Sequence, residues 1–200
     1  MITRVDLIRH GEPVGGRKYR GQIDDPLSEK GWTQMRNAIA DHNPWEVIVS
    51  SPLSRCAEFA REVAERHALP IFFMPGFMEI GFGAWEGLTA AQIQQSMPGA
   101  LEAFWQDPVG QRPAGAEPLV DFQTRIITAW TDLLQQHGGR HILLVCHAGV
   151  IRMSLQYVLG MPVENVFRIN VANAGITRIE IDHTSDEFYP RLLFHGGQLA

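Results

Sequence analysis

The residues able to do chemistry gather at the ends of three apolar runs. Arg9 and His10 close the run Val5-Asp6-Leu7-Ile8 and precede Gly11. Ser50-Ser51-Pro52 closes a second run, with Arg55 shortly after it. Cys146-His147-Ala148-Gly149 closes a third. Two histidines and two arginines brought together would suit a dianion. Arginine presents a planar fork that matches phosphate oxygens. A neutral imidazole with one ring nitrogen free is a competent nucleophile toward phosphorus, provided the other nitrogen donates to a fixed acceptor. Phosphoryl transfer asks little more of a protein than position and charge stabilisation. Taken singly, a histidine at a strand end or an arginine early in a helix is more often structural. The weight lies in four such residues at equivalent positions. Two other chemistries compete. A metal site is one, but no HxH or HExxH pattern occurs among the eight histidines. Cys146 as a nucleophile is the other, although a thiol ending an apolar strand is commonly buried and inert.

Those residues need a scaffold that collects strand ends. Short β-branched or aromatic runs at 2–8, 46–49, 71–74, 141–145, 175–181 and 191–194 predict strands. Helical patterns lie between them at 28–40, 51–67, 119–137 and 150–159. Ser28 is a good N-cap, Pro52 would occupy the first helical position, and Gly138 and Gly160 end the later helices. Strands alternating with helices imply an α/β protein with three layers, α/β/α, around a mostly parallel sheet. The last two strands have no helix between them, so the sheet is mixed. In such sheets ligands gather at the carboxyl ends of strands, where His10, Ser51 and His147 fall. The N-termini of the helices after Ser51 and His147 would add backbone N–H groups. Between residues 75 and 118 the rhythm breaks into glycines and prolines. That stretch predicts a cap inserted over the sheet, with short helices at 89–96 and 100–106, inside one domain of residues 1–200.

Bulk properties narrow the class. Apolar content is 45% and charged content 20%, as in soluble globular proteins. A net charge of −5 argues against a nucleic-acid partner. No apolar run approaches the roughly 18 residues of a membrane span, and the first residues lack a signal-peptide pattern. A cytoplasmic protein is expected. Cys56 and Cys146 fit a reducing compartment and are not expected to pair.

Four segments in order resemble the histidine phosphatase superfamily, in its phosphoglycerate-mutase-like branch. They are Leu7-Ile8-Arg9-His10-Gly11-Glu12, the run from Ser50 to Ala57, the run from Met78 to Gly87, and Cys146-His147-Ala148-Gly149. The stretch from Gly21 to Gly31 fits as well, so the resemblance covers nearly the whole chain. It implies that His10 is the nucleophile and becomes phosphohistidine. Arg9, Arg55 and His147 would hold the phosphoryl group, with Gln22 also binding substrate. Glu79 would protonate the leaving oxygen and then activate water; no metal and no cofactor are implied. A carboxyl group beside a bound phosphate is held in its acid form by like-charge repulsion, and the apolar neighbours Phe77, Met78, Ile80 and Phe82 would act in the same direction. Glu86 is the rival acid, or else it positions the loop.

The resemblance also bears on the reaction and the substrate. Mutases of this branch are longer and carry Asn where this chain has Gly16. Hydrolysis of a small-molecule phosphate monoester is therefore expected, ahead of a mutase or a binder without turnover. Gly31 to Arg36, Ser54 to Ala60 and Phe104 to Pro108 resemble bacterial α-ribazole phosphatases of cobalamin synthesis. Phe82, Trp85, Phe104 and Trp105 could stack on a flat base or pack within the cap. Arg17, Lys18 and Arg20 make the loop after the nucleophile basic, either as a funnel for anions or as a solvated surface.

Overall fold

A central sheet of six strands organises the chain in the computed structural model, which describes residues 1–183, 188–197 and 199. The strands are β1 (Ile2–Arg9), β2 (Val47–Ser50), β3 (Ile71–Phe73), β4 (His141–Cys146), β5 (Ile176–His183) and β6 (Phe188–Gly197). Their order is β3-β2-β4-β1-β5-β6. β3, β2, β4 and β1 run parallel, β5 pairs antiparallel with β1, and β6 pairs antiparallel with β5. The helices are α1 (Glu29–Ile39), α2 (Ser54–His67), α3 (Ala90–Ser96), α4 (Ala100–Gln106), α5 (Leu119–His137) and α6 (Ala148–Leu159).

Alternation along the strands makes two cores. Leu7 and Leu144 face one side with Phe122 and Ile126 of α5 and Val150 and Ile151 of α6. Ile8, Leu143 and Val145 face the other with Met35 and Ile39 of α1 and Phe59 and Val63 of α2. Successive side chains of a strand point to opposite faces, and both faces here are covered. That is why β4 reads as an unbroken apolar run. Each buried aliphatic or aromatic side chain contributes about 1.5–3 kcal/mol by leaving water. Asp6 is the one fully buried charged residue of β1. It accepts hydrogen bonds from Trp45 (2.9 Å) and Arg178 (2.6 and 3.0 Å) while lying 2.9 Å from His141 Nε2.

The stretch from 75 to 118 holds two single-turn helices and the short helices α3 and α4. A third apolar cluster binds it together: Trp85, Ile93 and Phe104 at its centre, with Phe82, Tyr19 and Phe167 against them. The capping box of Thr89 and Gln92 starts α3.

Several boundaries differ from those the sequence predicts. α2 starts at Ser54, not at 51. Ser51 turns its hydroxyl to the Leu53 amide and to His147, and the first turn is capped from outside, by Asp24 accepting from the Ser54 amide at 2.6 Å. α6 starts at Ala148, with His147 as its N-cap. β5 runs two residues past the predicted 175–181 and β6 extends at both ends of 191–194, because antiparallel pairing continues through positions such as Asp182, His183 and His195 that carry no apolar signal. Pro190 is accommodated because β6 is an edge strand.

Candidate active site

The register of β1 against β4 builds the site. Arg9 pairs with Cys146, so the next residue on each strand, His10 and His147, emerges side by side at the carboxyl edge. Their rings stand 5.2 Å apart at 65°. Both are buried. His10 donates from Nδ1 to the Gly11 carbonyl at 2.7 Å, since that oxygen can only accept. The proton is thereby held on Nδ1, and the lone pair falls on Nε2. His147 Nε2 lies 2.7 Å from the Ser51 hydroxyl. Burial, reinforced by Arg55 and Arg9, holds His10 well below the ordinary imidazole range. Burial holds His147 there as well, with Arg55, His10 and Arg9 adding to it. Both rings are neutral at pH 7.

Two guanidiniums border the rings. Arg55 donates to the carbonyls of Ile23 (2.7 Å) and Gly21 (2.8 Å), clasping the 21–25 loop to α2. Arg9 donates to the Val171 carbonyl at 2.6 Å. The Nε atoms of both arginines are buried and find no acceptor among the described residues. Buried N–H groups seldom remain unpaired, so these donors suit an incoming anion. Burial brings Arg9 down to about 10, with Glu79 opposing the shift and Arg152, Arg17 and Arg55 adding to it. It keeps its charge at neutral pH.

Glu79 reaches the same place from the cap. Its carboxylate accepts from the amides of Ile80 (3.0 Å) and Gly149 (3.2 Å). A Cβ on Gly149 would overlap that carboxylate, so only glycine allows the approach. Gln22 donates from its side chain to the Glu79 carbonyl at 3.3 Å and stands exposed beside it. Glu86 is committed elsewhere. It accepts from the amides of Gln22 and Phe82, both at 3.0 Å, and joins the 21–22 turn to the cap. Arg9, Arg55, His10, His147 and Glu79 are thus gathered around one point, with Gln22 at its rim.

The fold decides between the alternatives open for the aromatics and the basic loop. Trp85 and Phe104 are 1% and 3% exposed and pack edge to face at 5.4 Å, so neither offers a stacking surface; Trp105, at 51%, stays open. Arg20 is buried and bound to Asp25 and the Val14 carbonyl, which removes it from any funnel. Cys56 and Cys146 are both buried and free, unpaired as expected, with α2 lying across the end of β4. The Cys56 thiol contacts the Cys146 carbonyl at 3.4 Å. Burial pushes both thiols up, so neither forms a thiolate at neutral pH.

Some residues of the site carry a fainter sequence signal. Arg125 of α5 donates to the carbonyls of Gly76, Met78 and Glu79 and pairs with Glu117 at 2.7 Å, which fixes the segment bearing Glu79. Arg152 interrupts an apolar helix three residues after Gly149. Its position in that run is the only local hint of a role.

A model of the histidine phosphatase superfamily (branch 1) matches residues 5–189. A glucosyl-3-phosphoglycerate phosphatase of Mycolicibacterium vanbaalenii is 31% identical over 176 residues, covering 82% of this chain and 77% of that protein. Phosphoserine phosphatase 1 of Hydrogenobacter thermophilus is 25% identical over 187 residues, covering 90% and 88%. The solved structure of a candidate alpha-ribazole-5'-P phosphatase of Escherichia coli superposes with a TM-score of 0.81 at 26% identity, covering 95% and 94%. With a family match spanning nearly its whole length, the chain belongs to the histidine phosphatase superfamily, branch 1.

Proposed function

We propose that this phosphatase hydrolyses small phosphate monoesters through a phosphohistidine on His10. The observation that carries the reading is the fixed tautomer of His10, whose Nδ1 is tied to the Gly11 carbonyl. Nε2 attacks phosphorus as the bond from phosphorus to the ester oxygen breaks. The departing oxygen takes the proton of the Glu79 carboxyl group. Water then attacks the phosphohistidine and gives a proton to the Glu79 carboxylate. The bond from phosphorus to Nε2 breaks, and orthophosphate leaves. Arg9, Arg55 and His147 stabilise the charge that spreads over the equatorial oxygens, and Gln22 lies where it can contact substrate at the rim. Glu79 is preferred over Glu86 as the acid because it shares the neighbourhood of Arg9, while Glu86 braces the 21–22 turn.

The finer expectation, α-ribazole 5′-phosphate, keeps the support of three local sequence segments and of the E. coli structural relative. It loses the stacking surface of Trp85 and Phe104, while the half-buried Phe82 and the exposed Trp105 still favour it. The two named sequence relatives act on phosphate esters of carboxylated alcohols.

The test is covalent trapping. Mixing with p-nitrophenyl phosphate and quenching in base should leave an acid-labile phosphoprotein, and His10→Ala should abolish both label and turnover. Glu79→Gln should slow alkyl esters by roughly 10²–10⁴-fold while p-nitrophenyl phosphate, whose phenolate leaves unaided, loses far less. Turnover by His10→Ala at the unmodified protein's rate would sink the mechanism. Equal losses on both esters would remove Glu79 from the acid role.

A further inference from the structure

One charged side chain near the site has no function in the chemistry above. Arg152 lies on α6 three residues beyond Gly149, the residue whose amide holds the Glu79 carboxylate. Residues three apart share a helix face, so Arg152 stands one turn farther along the face that Glu79 touches. Its Nε donates to the Ile169 carbonyl at 2.9 Å. Its guanidinium sits 5.7 Å from the centre of the Phe167 ring, and Phe167 is wedged against Phe104 and Trp105. One hydrogen bond and one ring thus hold the fork in place.

The fork's terminal nitrogens have no hydrogen-bond or ion-pair partner among the described residues. Glu79 is its strongest charged neighbour, yet the two form no salt bridge, because backbone amides already hold the carboxylate. The Tyr19 phenol, half-buried against Phe82 and Trp85, feels both Arg152 and Arg17 and likewise has no hydrogen-bond partner among the described residues. A partly buried cation whose terminal nitrogens touch no counter-charge directly is costly to keep. Arg20, which the sequence offers as a cation at this mouth, is already paired with Asp25.

We infer that Arg152, with the Tyr19 hydroxyl, forms a second anion subsite that binds a carboxylate on the leaving alcohol, selecting phosphate monoesters of carboxylated alcohols. This rests on the phosphatase reading and deepens it. The subsite lies on the leaving-group side because its neighbour Glu79 is the residue that meets the leaving oxygen. A single planar fork matches the two oxygens of a carboxylate.

The experiment compares esters that differ only in the carboxylate: phosphoserine with phosphoethanolamine, and 3-phosphoglycerate with glycerol 3-phosphate. The ratio of kcat/KM within each pair is independent of how much of a preparation is folded. The unmodified protein should favour the carboxylated member of both pairs. Arg152→Met should lower that ratio by roughly tenfold to a hundredfold, the range of a charge-assisted contact. Arg152→Lys, which keeps charge but not the fork, should fall between. A ratio near one in the unmodified protein, or one that Arg152→Met leaves unchanged, overturns the subsite. Failure of the underlying reading looks different: no ester would turn over, p-nitrophenyl phosphate included, and no phosphohistidine would form.

Discussion

The Glu79 carboxylate rests on the backbone of Gly149, accepting its amide proton at 3.2 Å where any Cβ would overlap it. Glu79 comes from the cap and Gly149 from the first turn of α6, so one contact ties the cap to the sheet edge. Gly149→Ala should push the carboxylate away from the leaving oxygen. The expected loss is at least about tenfold in kcat for alkyl esters, a fraction of what a positioned acid supplies. Phosphoenzyme formation from p-nitrophenyl phosphate should fall much less. Unchanged turnover of alkyl esters would mean that the contact is incidental.

The neutral histidines predict a pH profile. Burial together with the Arg55 and Arg9 charges depresses His10, and the same causes depress His147. A free imidazole takes up a proton near about pH 6.5. Here the rate of phosphohistidine formation should stay level through that pH, once the substrate's own ionisation is divided out. It should drop only at lower pH, below the depressed folded-state values. Stability follows the same groups with a defined sign. As pH falls through about 6.5 the unfolded chain binds protons on these residues and the folded chain does not, so unfolding grows easier until the folded-state values are reached. Rapid-quench rates and denaturation midpoints across that window check both statements.

The buried Asp6 predicts a stability effect remote from the chemistry. Burial alone would raise this carboxyl group, but hydrogen bonds from His141, Arg178 and Trp45 outweigh burial and lower it. Its stabilising contribution is therefore present above about pH 3.9 and lost as pH falls through the folded-state value. Asp6→Asn leaves Arg178 without its carboxylate at 2.6 Å. The expected cost is roughly 3–5 kcal/mol, as for breaking a buried pair from one side. Thermal unfolding of the variant should come well below that of the unmodified protein, with the kcat of the folded fraction retained. A variant of unaltered stability would show that the network contributes nothing net.

Local sequence determined the strands, the helices and the chemically active residues, because their signals are local. Arg9-His10 after an apolar run and His147 after another are legible where they stand, as is Ser28, whose hydroxyl accepts from the Gly31 amide to start α1. Periodicity also separates helix from strand, and the missing helix between β5 and β6 marks the mixed sheet. Only the tertiary structure decided what depends on register and on packing between distant segments. The pairing of Arg9 with Cys146 puts the two histidine rings 5.2 Å apart, and no local pattern specifies that offset. Trp85 and Trp105 have the same side chain, yet one is sealed in the cap and the other half open, because burial depends on neighbours such as Phe104 and Phe167. Arg20 and Arg152 exchange the roles their surroundings suggest. The arginine in a basic loop is buried on Asp25, while the one in an apolar helix neighbours Glu79 with its terminal nitrogens unpaired among the described residues. Charge is a property of the residue, but its availability is set by which partners the fold brings within hydrogen-bond reach.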